Sequence, residues 1–280
     1  MNQQADRIRQ EPAHSPETAS TNDLFVSTLE KGFRVLQAFR AGQRDRGVRD
    51  LSLTEIAALA DLNKSAAQRL ASTLTTLGYL EKDSHSRRYR PGIRLIDFYY
   101  TYMVSNWLAE IAMPRLIETA KFYDITVNLA ELDGAEIVYT VRIPHERTGY
   151  RSTLAGRRMP AFCTAGGVVI LAHRDPEYAA DILDRTTFAP INDYTIVDRA
   201  AVWGRIDCAR LRGFDVGEDQ VTINEISTAA PVLDLHGRAV AAVQIPVYKP
   251  AWTTERVHEY IVPLATETAR SISGTLISQG

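Results

Sequence analysis

Lys64, Ser65, Gln68, Arg69 and Ser72 follow one another at helical spacing, so a helix through them gathers two cations, two hydroxyls and an amide on one side. Those groups suit recognition of phosphates and base edges. A glutamine can grip an adenine edge and an arginine a guanine edge through two hydrogen bonds each, worth about 1–3 kcal/mol of discrimination per good pair. Lys64 and Ser65, at the start of the helix, suit phosphate or base contacts. Arg87 and Arg88 follow in a basic stretch and add positive charge. A polar helix face is also what a solvated surface looks like, so the elements around these residues have to decide between the two.

Residues 51–91 read as two short helices, a longer helix and a basic hairpin. Thr54 can cap a helix carrying Ile56, Ala57, Leu59 and Ala60, and Asn63 can cap the next. In that second helix Ala67, Leu70, Ala71, Leu74 and Leu77 form the packing stripe opposite the polar residues. Gly78 supplies a left-handed stop, and Tyr79-Leu80 resume in extended form before a polar turn at Asp83-Ser84-His85-Ser86. Upstream, residues 24–40 read as an opening helix capped by Ser27, with Leu29, Phe33, Leu36, Ala38 and Phe39 facing a core. The Arg-rich AGQRDRGVRD after it reads as a loop. From Asn63 to Arg94 seven basic side chains stand against two acidic ones, although the whole chain carries a net charge of −2. Capping, spacing, charge and hairpin together favour a winged helix-turn-helix over a merely solvated face, and double-stranded DNA as its partner.

FVSTLEKGFRVLQAF, LTEIAALADLNKSAAQRLASTLTTLGYL and RRYRPGIRLIDF resemble the DNA-binding half of the IclR family of bacterial transcriptional regulators. IVYTVRIP, AGRRMPAFCTAGGVVILA, RLRGFDVGEDQ and AAPVLDLHGRAVAAVQIPV resemble its effector-binding half. The likeness runs from about residue 24 to the C-terminal helix. Two positions depart from the family pattern. Asp61 stands where glycine is usual in the turn, a site Asp can occupy in left-handed conformation at some cost. Asn63 replaces the commoner serine cap.

A chain of 280 residues with 45% apolar content suits two domains with separate cores. The longest apolar runs fall well short of the roughly 18 residues a spanning helix needs, and residues 1–23 form a polar tail without the apolar stretch of a secretory signal, expected to be disordered. Two cysteines, Cys163 and Cys208, with no CxxC pair, favour a reducing cytoplasm.

The expected organisation is a winged helix-turn-helix over 24–91, a linker helix over 92–107, and an effector-binding and oligomerisation domain over 108–280. IRLIDFYYTYMVSNWLAEIAMPRLIETAKFY should run helical, and Ile93, Ile96, Tyr99, Tyr100, Met103 and Trp107 make a surface broad enough to pair with a second subunit. Two recognition helices about one DNA turn apart can read a pseudo-palindrome. The resemblance implies dimers and, commonly, dimers of dimers. Beyond Trp107, Asp133-Gly134 and His236-Gly237 mark hairpins, and Thr164, Asp198 and Thr253-Thr254 open helices, with Gly213 as a stop. The fold class is therefore α+β, and the resemblance implies a GAF-like effector domain built on a central antiparallel sheet.

The catalytic alternatives have little to stand on. There is no GxSxG elbow, HExxH helix or phosphate-cradling loop, and the six histidines are scattered without metal-ligand spacing, so no cofactor or metal is expected. Cys163 precedes a helix cap and is either a reactive or a buried structural thiol. A sensor acting through protein partners keeps the same pocket without needing Gln68 or Arg69.

By resemblance, effectors lie between the sheet and the loop entering the helix at Thr164. That nominates Met159, Ala161, Thr164, Ala165 and Gly166, faced by Ser227, Ala229 and Gln244, with Asn128 in the first hairpin. Arg142, Arg151, Arg157 and Arg158 flank this region and suit an anionic effector or simply a soluble loop. The expected function is a cytoplasmic transcriptional regulator under control of a small organic acid. Repression is the family's commoner mode.

Overall fold

A computed structural model describes residues 24–145 and 154–279, leaving the polar tail and Arg151 outside the described residues. The chain divides between Ser105 and Asn106 into two compact units.

In the first unit, α1 (Ser27–Arg46), α2 (Leu53–Leu59) and α3 (Lys64–Thr76) pack around Val35, Ala38, Leu51, Ile56, Ala67 and Ala71, and β1 (Leu80–Lys82) pairs antiparallel with β2 (Tyr89–Pro91). Two caps differ from the sequence reading. Ser27 is already inside α1, whose N-cap is Val26. Ser52, not Thr54, caps α2, in a reciprocal box: its hydroxyl accepts from the Glu55 amide at 3.3 Å and the Glu55 carboxylate accepts from the Ser52 amide at 2.8 Å. α1 also continues through Arg44 and Arg46, where a loop was expected, because nothing breaks the helix before Gly47 at φ 63°.

Asp61 lies left-handed at φ 51° and completes the end of α2. The Leu62 amide reaches the Ala57 carbonyl at 2.9 Å and the Asp61 amide the Ala58 carbonyl at 3.3 Å, the paired bonds that close a helix before a sharp turn. Gly78, at φ 80°, repeats the arrangement at the end of α3. A β-bridge from Leu51 to Tyr89 fastens the hairpin to the segment before α2.

The expected continuous linker helix is interrupted. α4 (Leu95–Ser105) ends at Asn106, whose side chain accepts from the Leu108 and Ala109 amides and donates to Glu131 at 2.7 Å, starting α5 (Trp107–Tyr123) as part of the second unit.

The second unit is built on an antiparallel sheet of β3 (Val127–Asp133), β4 (Glu136–Ile143), β5 (Arg158–Pro160), β6 (Asp215–Glu218), β7 (Glu225–Leu233) and β8 (Ala239–Tyr248), in the order β5-β4-β3-β8-β7-β6. The hairpin turns fall at Gly134 and Gly237, both at positive φ. α5 and the C-terminal helix cover one face. The latter starts at Thr253, runs through Thr254–Arg256 (α9) and a π-turn at Val257–Ile261, and continues as α10 (Val262–Gln279). α6 (Ala165–Ala172) covers the other face, with α7 (Pro176–Asp184) and α8 (Arg199–Arg212) packed against it. α6 is apolar on every side and wholly buried, as a helix held between a sheet and two other helices must be. Among the described residues, no helix is long and apolar enough to cross a membrane.

Candidate nucleic-acid interface and ligand recess

The Asn63 side chain accepts from the Ala66 amide at 2.8 Å and fixes the start of α3. With Ala67 and Ala71 buried, Lys64, Ser65, Gln68, Arg69 and Ser72 are all exposed along the opposite side. None of these five side chains has a hydrogen-bond or ion-pair partner among the described residues. At the hairpin tip, the Asp83 carboxylate accepts from the His85 amide at 3.1 Å and from the Ser86 amide and hydroxyl at 2.6 and 2.8 Å. Those bonds hold its carboxyl below the usual range. Arg87, left-handed at φ 58°, is exposed beside the tip.

Arg88 does something other than the sequence suggested. Its Nε donates to Asp50 Oδ1 at 2.5 Å, and its Nη2 to the Asp50 carbonyl at 3.0 Å and Glu55 Oε2 at 2.9 Å. It thereby ties β2 to the capping box of α2. Arg90 is similarly engaged by Glu81, and Arg94 by the Leu77 carbonyl. The basic surplus is partly consumed inside the unit, leaving Lys64, Arg69, Lys82 and Arg87 as its outward cations, Lys82 lying over the Tyr89 ring.

In the second unit Thr164 caps α6, accepting from the Gly167 amide at 3.2 Å. Gly167 is the glycine this approach requires, since a Cβ there would lie 2.2 Å from the Ala161 carbonyl oxygen. Beside the cap, Tyr139, Cys163, Thr164, Ala165, Gly217, Gln220, Val221, Thr222, Glu225 and Ser227 line a recess of about 290 Å³, counting its open mouth. Of the nominated residues, Thr164, Ala165 and Ser227 border it. Ala161, Gly166 and Ala229 are buried packing positions, and Met159 leans on the same core from β5.

Asn128 and Gln244 reach the recess through a directed chain. Arg142 Nη1 donates to Asn128 Oδ1 at 3.0 Å, Asn128 Nδ2 donates to Gln244 Oε1, and Gln244 Nε2 donates to the Ser227 hydroxyl. Ser227 is left with its own proton to offer. The strand register makes this possible by setting Arg142, Asn128 and Gln244 opposite one another on β4, β3 and β8. Arg142 Nε is buried without a partner, and burial pushes the guanidinium pKa down. Arg158, by contrast, is bound to Asp133 and Glu136 at the sheet edge.

The residues that sequence reasoning missed are Tyr139, Gln220, Glu225 and Tyr248. The Tyr248 hydroxyl donates to Glu225 Oε2 at 3.2 Å, and burial pushes the Glu225 carboxyl up. Burial likewise drives the Cys163 thiol to about 12, which makes it the structural rather than the reactive alternative. Its backbone is held by Arg205, which donates to the Cys163 carbonyl and grips Asp215 with two bonds. Among the described residues no cluster of His, Cys, Asp or Glu is arranged to hold a metal ion.

Comparison with known proteins accords with this geometry. Residues 28–84 match the IclR helix-turn-helix domain, and residues 100–274 match the bacterial transcriptional regulator IclR C-terminal domain. The HTH-type transcriptional regulator KdgR of Escherichia coli (strain K12) is 28% identical over 251 residues, spanning 90% of this chain and 93% of that protein. The Pca regulon regulatory protein of Pseudomonas putida is 25% identical over 262 residues, spanning 93% and 88%. Among solved structures, a putative transcriptional regulator from a Rhodococcus species aligns with TM-score 0.74 and 27% identity over 91% of this chain and all of that one. An IclR homolog from Microbacterium hydrocarbonoxydans, complexed with 4-hydroxybenzoate, aligns with TM-score 0.70 over 89% of this chain and 98% of its own, at 22% identity that speaks for the fold alone. With a helix-turn-helix and wing in one unit, a sheet-based recess in the other and a family model matched to each, this chain belongs to the IclR family of bacterial transcriptional regulators.

Proposed function

We propose that the protein acts in the cytoplasm as a dimeric repressor, or a dimer of dimers, that reads a pseudo-palindromic operator and answers to a small organic acid bound in the second unit. The observation that carries the DNA half is the unpartnered stripe on α3. Arg69 and Gln68 are the base readers, Lys64, Ser65 and Ser72 flank them, and Arg87 contacts phosphate from the wing. Arg88 acts indirectly by holding the wing. Pairing is supported by the exposed apolar residues of the linker region: Ile93, Ile96, Phe98, Tyr99, Tyr100 and Val104 are all at least 46% exposed.

The acid half is supported by Arg142. A buried guanidinium N–H with no acceptor is costly, and a ligand carboxylate supplies one. The 4-hydroxybenzoate in the Microbacterium structure is an aromatic acid of the class envisaged. The protein's task is binding, with no catalytic step. The effector acts by preferring one spacing of the paired recognition helices, which shifts operator affinity.

The DNA half is tested by selecting sites from a randomised duplex pool with the full chain, then measuring binding of Gln68→Ala and Arg69→Ala. Each variant should lose roughly five- to a hundredfold in affinity for the selected site and relax preference at one base pair. Unchanged affinity and preference in both would rule out reading by this helix.

A further inference from the structure

Building on the acid-sensor reading above, we infer that Glu225 selects among acids: a ligand with one carboxylate at the Arg142 end and a hydroxyl or amino donor at the Glu225 end binds, whereas a dicarboxylate of similar size is turned away. Glu225 lines the recess itself, whereas Arg142 stands behind its wall and reaches it through Asn128, Gln244 and Ser227, and no ion pair joins the two charged groups. Arg142 has no carboxylate within ion-pair distance among the described residues, one N–H committed to Asn128 and a buried Nε with no acceptor. Glu225 lines the recess and receives the Tyr248 hydroxyl at 3.2 Å. A carboxylate offers about four acceptor sites, so capacity remains for a donor brought by a ligand.

The groups facing Glu225 strengthen this division. Arg142 and Tyr139 approach from β4, Tyr248 from β8, Thr222 from the segment before β7, and Arg157 from the start of β5. None of them forms an ion pair with the carboxylate, so the acid stays available at the lining. Between the ends, the donor chain through Asn128 and Gln244 turns the Ser227 hydroxyl into a donor toward the recess, and Gln220 and Thr164 add polar groups without charge. A second ligand carboxylate would meet Glu225 as a like charge in a partly desolvated space, where repulsion exceeds that in water.

The test uses the full chain and two size-matched series: propionate, 3-hydroxypropionate and malonate; benzoate, 4-hydroxybenzoate and terephthalate. Calorimetric titration near neutral pH should give, in at least one series, a hydroxy acid that binds roughly tenfold or more tightly than the dicarboxylate. Glu225→Gln keeps size and hydrogen bonding while removing the charge, and should bring the two within about threefold. A dicarboxylate that binds wild-type protein as tightly as its hydroxy acid overturns the inference even if the variant fails to fold. An unchanged gap in a folded Glu225→Gln variant does the same. Binding of no member of either series at millimolar concentration contradicts the acid-sensor reading itself, which separates the two failures.

Discussion

Arg205→Ala should be among the most damaging single changes in the second unit. The Arg205 and Asp215 side chains are 11% and 7% exposed, and two nearly parallel bonds of 3.0 and 2.5 Å join them. A pair open to water would contribute under about 1 kcal/mol. At this burial, removing the arginine leaves an uncompensated carboxylate, for a loss of about 3–5 kcal/mol. The same guanidinium holds the Cys163 carbonyl at 3.2 Å, so the turn that delivers Thr164 to the recess loosens as well. Trp107, Trp203 and Trp252 all lie beyond residue 105, so tryptophan fluorescence during urea unfolding reports this unit.

The penalty should depend on pH. Burial pushes the Asp215 carboxyl above its ordinary range, and in the variant no guanidinium opposes that push. Below the raised value the carboxyl is neutral and the loss is smallest. As pH rises through that value the group must ionise alone, and the loss grows to its full size. The double variant Arg205→Met with Asp215→Leu should recover most of the stability. A loss in Arg205→Ala below about 1 kcal/mol, or one that does not grow as pH rises, would refute this reasoning.

Other consequences concern the first unit and the recess. Arg88→Ala should destabilise the wing by about 1–2 kcal/mol, seen as roughly five- to thirtyfold faster exchange of the mutually bonded Leu51 and Tyr89 amides, whereas Arg87→Ala should weaken DNA binding without that change. If a pair of chains brings only Lys64, Lys82 and Arg87 from each to phosphate, the slope of log affinity against log salt should not exceed about five in magnitude. Because burial raises the folded Glu225 carboxyl above its ordinary range, it takes up a proton earlier on acidification than a free carboxylate, and discrimination against the dicarboxylates should weaken as pH falls.

Much of the first unit was legible because its determinants are local. Asn63, Gly78 and the alternating faces of α3 act within a few residues of their own position. Asp61 was legible too, as a side chain able to take the left-handed conformation of the turn, and it does so. Ser52 was missed although Ser52 and Glu55 have the spacing of a capping box, a signal that outranks the threonine chosen instead. Asn106 was hidden inside a long aromatic run whose helical character on both sides drew attention from the cap between them.

The recess was harder because its parts meet through distant pairing. Asn128 finds Gln244 across 116 positions, and no periodicity announces that. Strand alternation would place Tyr139 and Arg142 on opposite faces. The bulge between Leu129 and Ala130 shifts the register and returns both to one face, with the guanidinium 5.8 Å from the ring centre. Glu225 shares a face with Ser227 and Ala229 by simple alternation, yet its role depends on Tyr248 and Tyr139 arriving from other strands. The helix caps at Thr164 and Asp198 were readable from the chain; what their helices enclose was not.

On the proposed function, acid binding in one unit alters DNA reading by the other. Its most direct test is the dissociation constant of the selected operator measured with and without a saturating acid from the titration series. The expected result is a shift of at least roughly fivefold, with an equal shift in acid affinity when operator is saturating, since the coupling is reciprocal. Operator affinity that stays the same while the acid is demonstrably bound would contradict it.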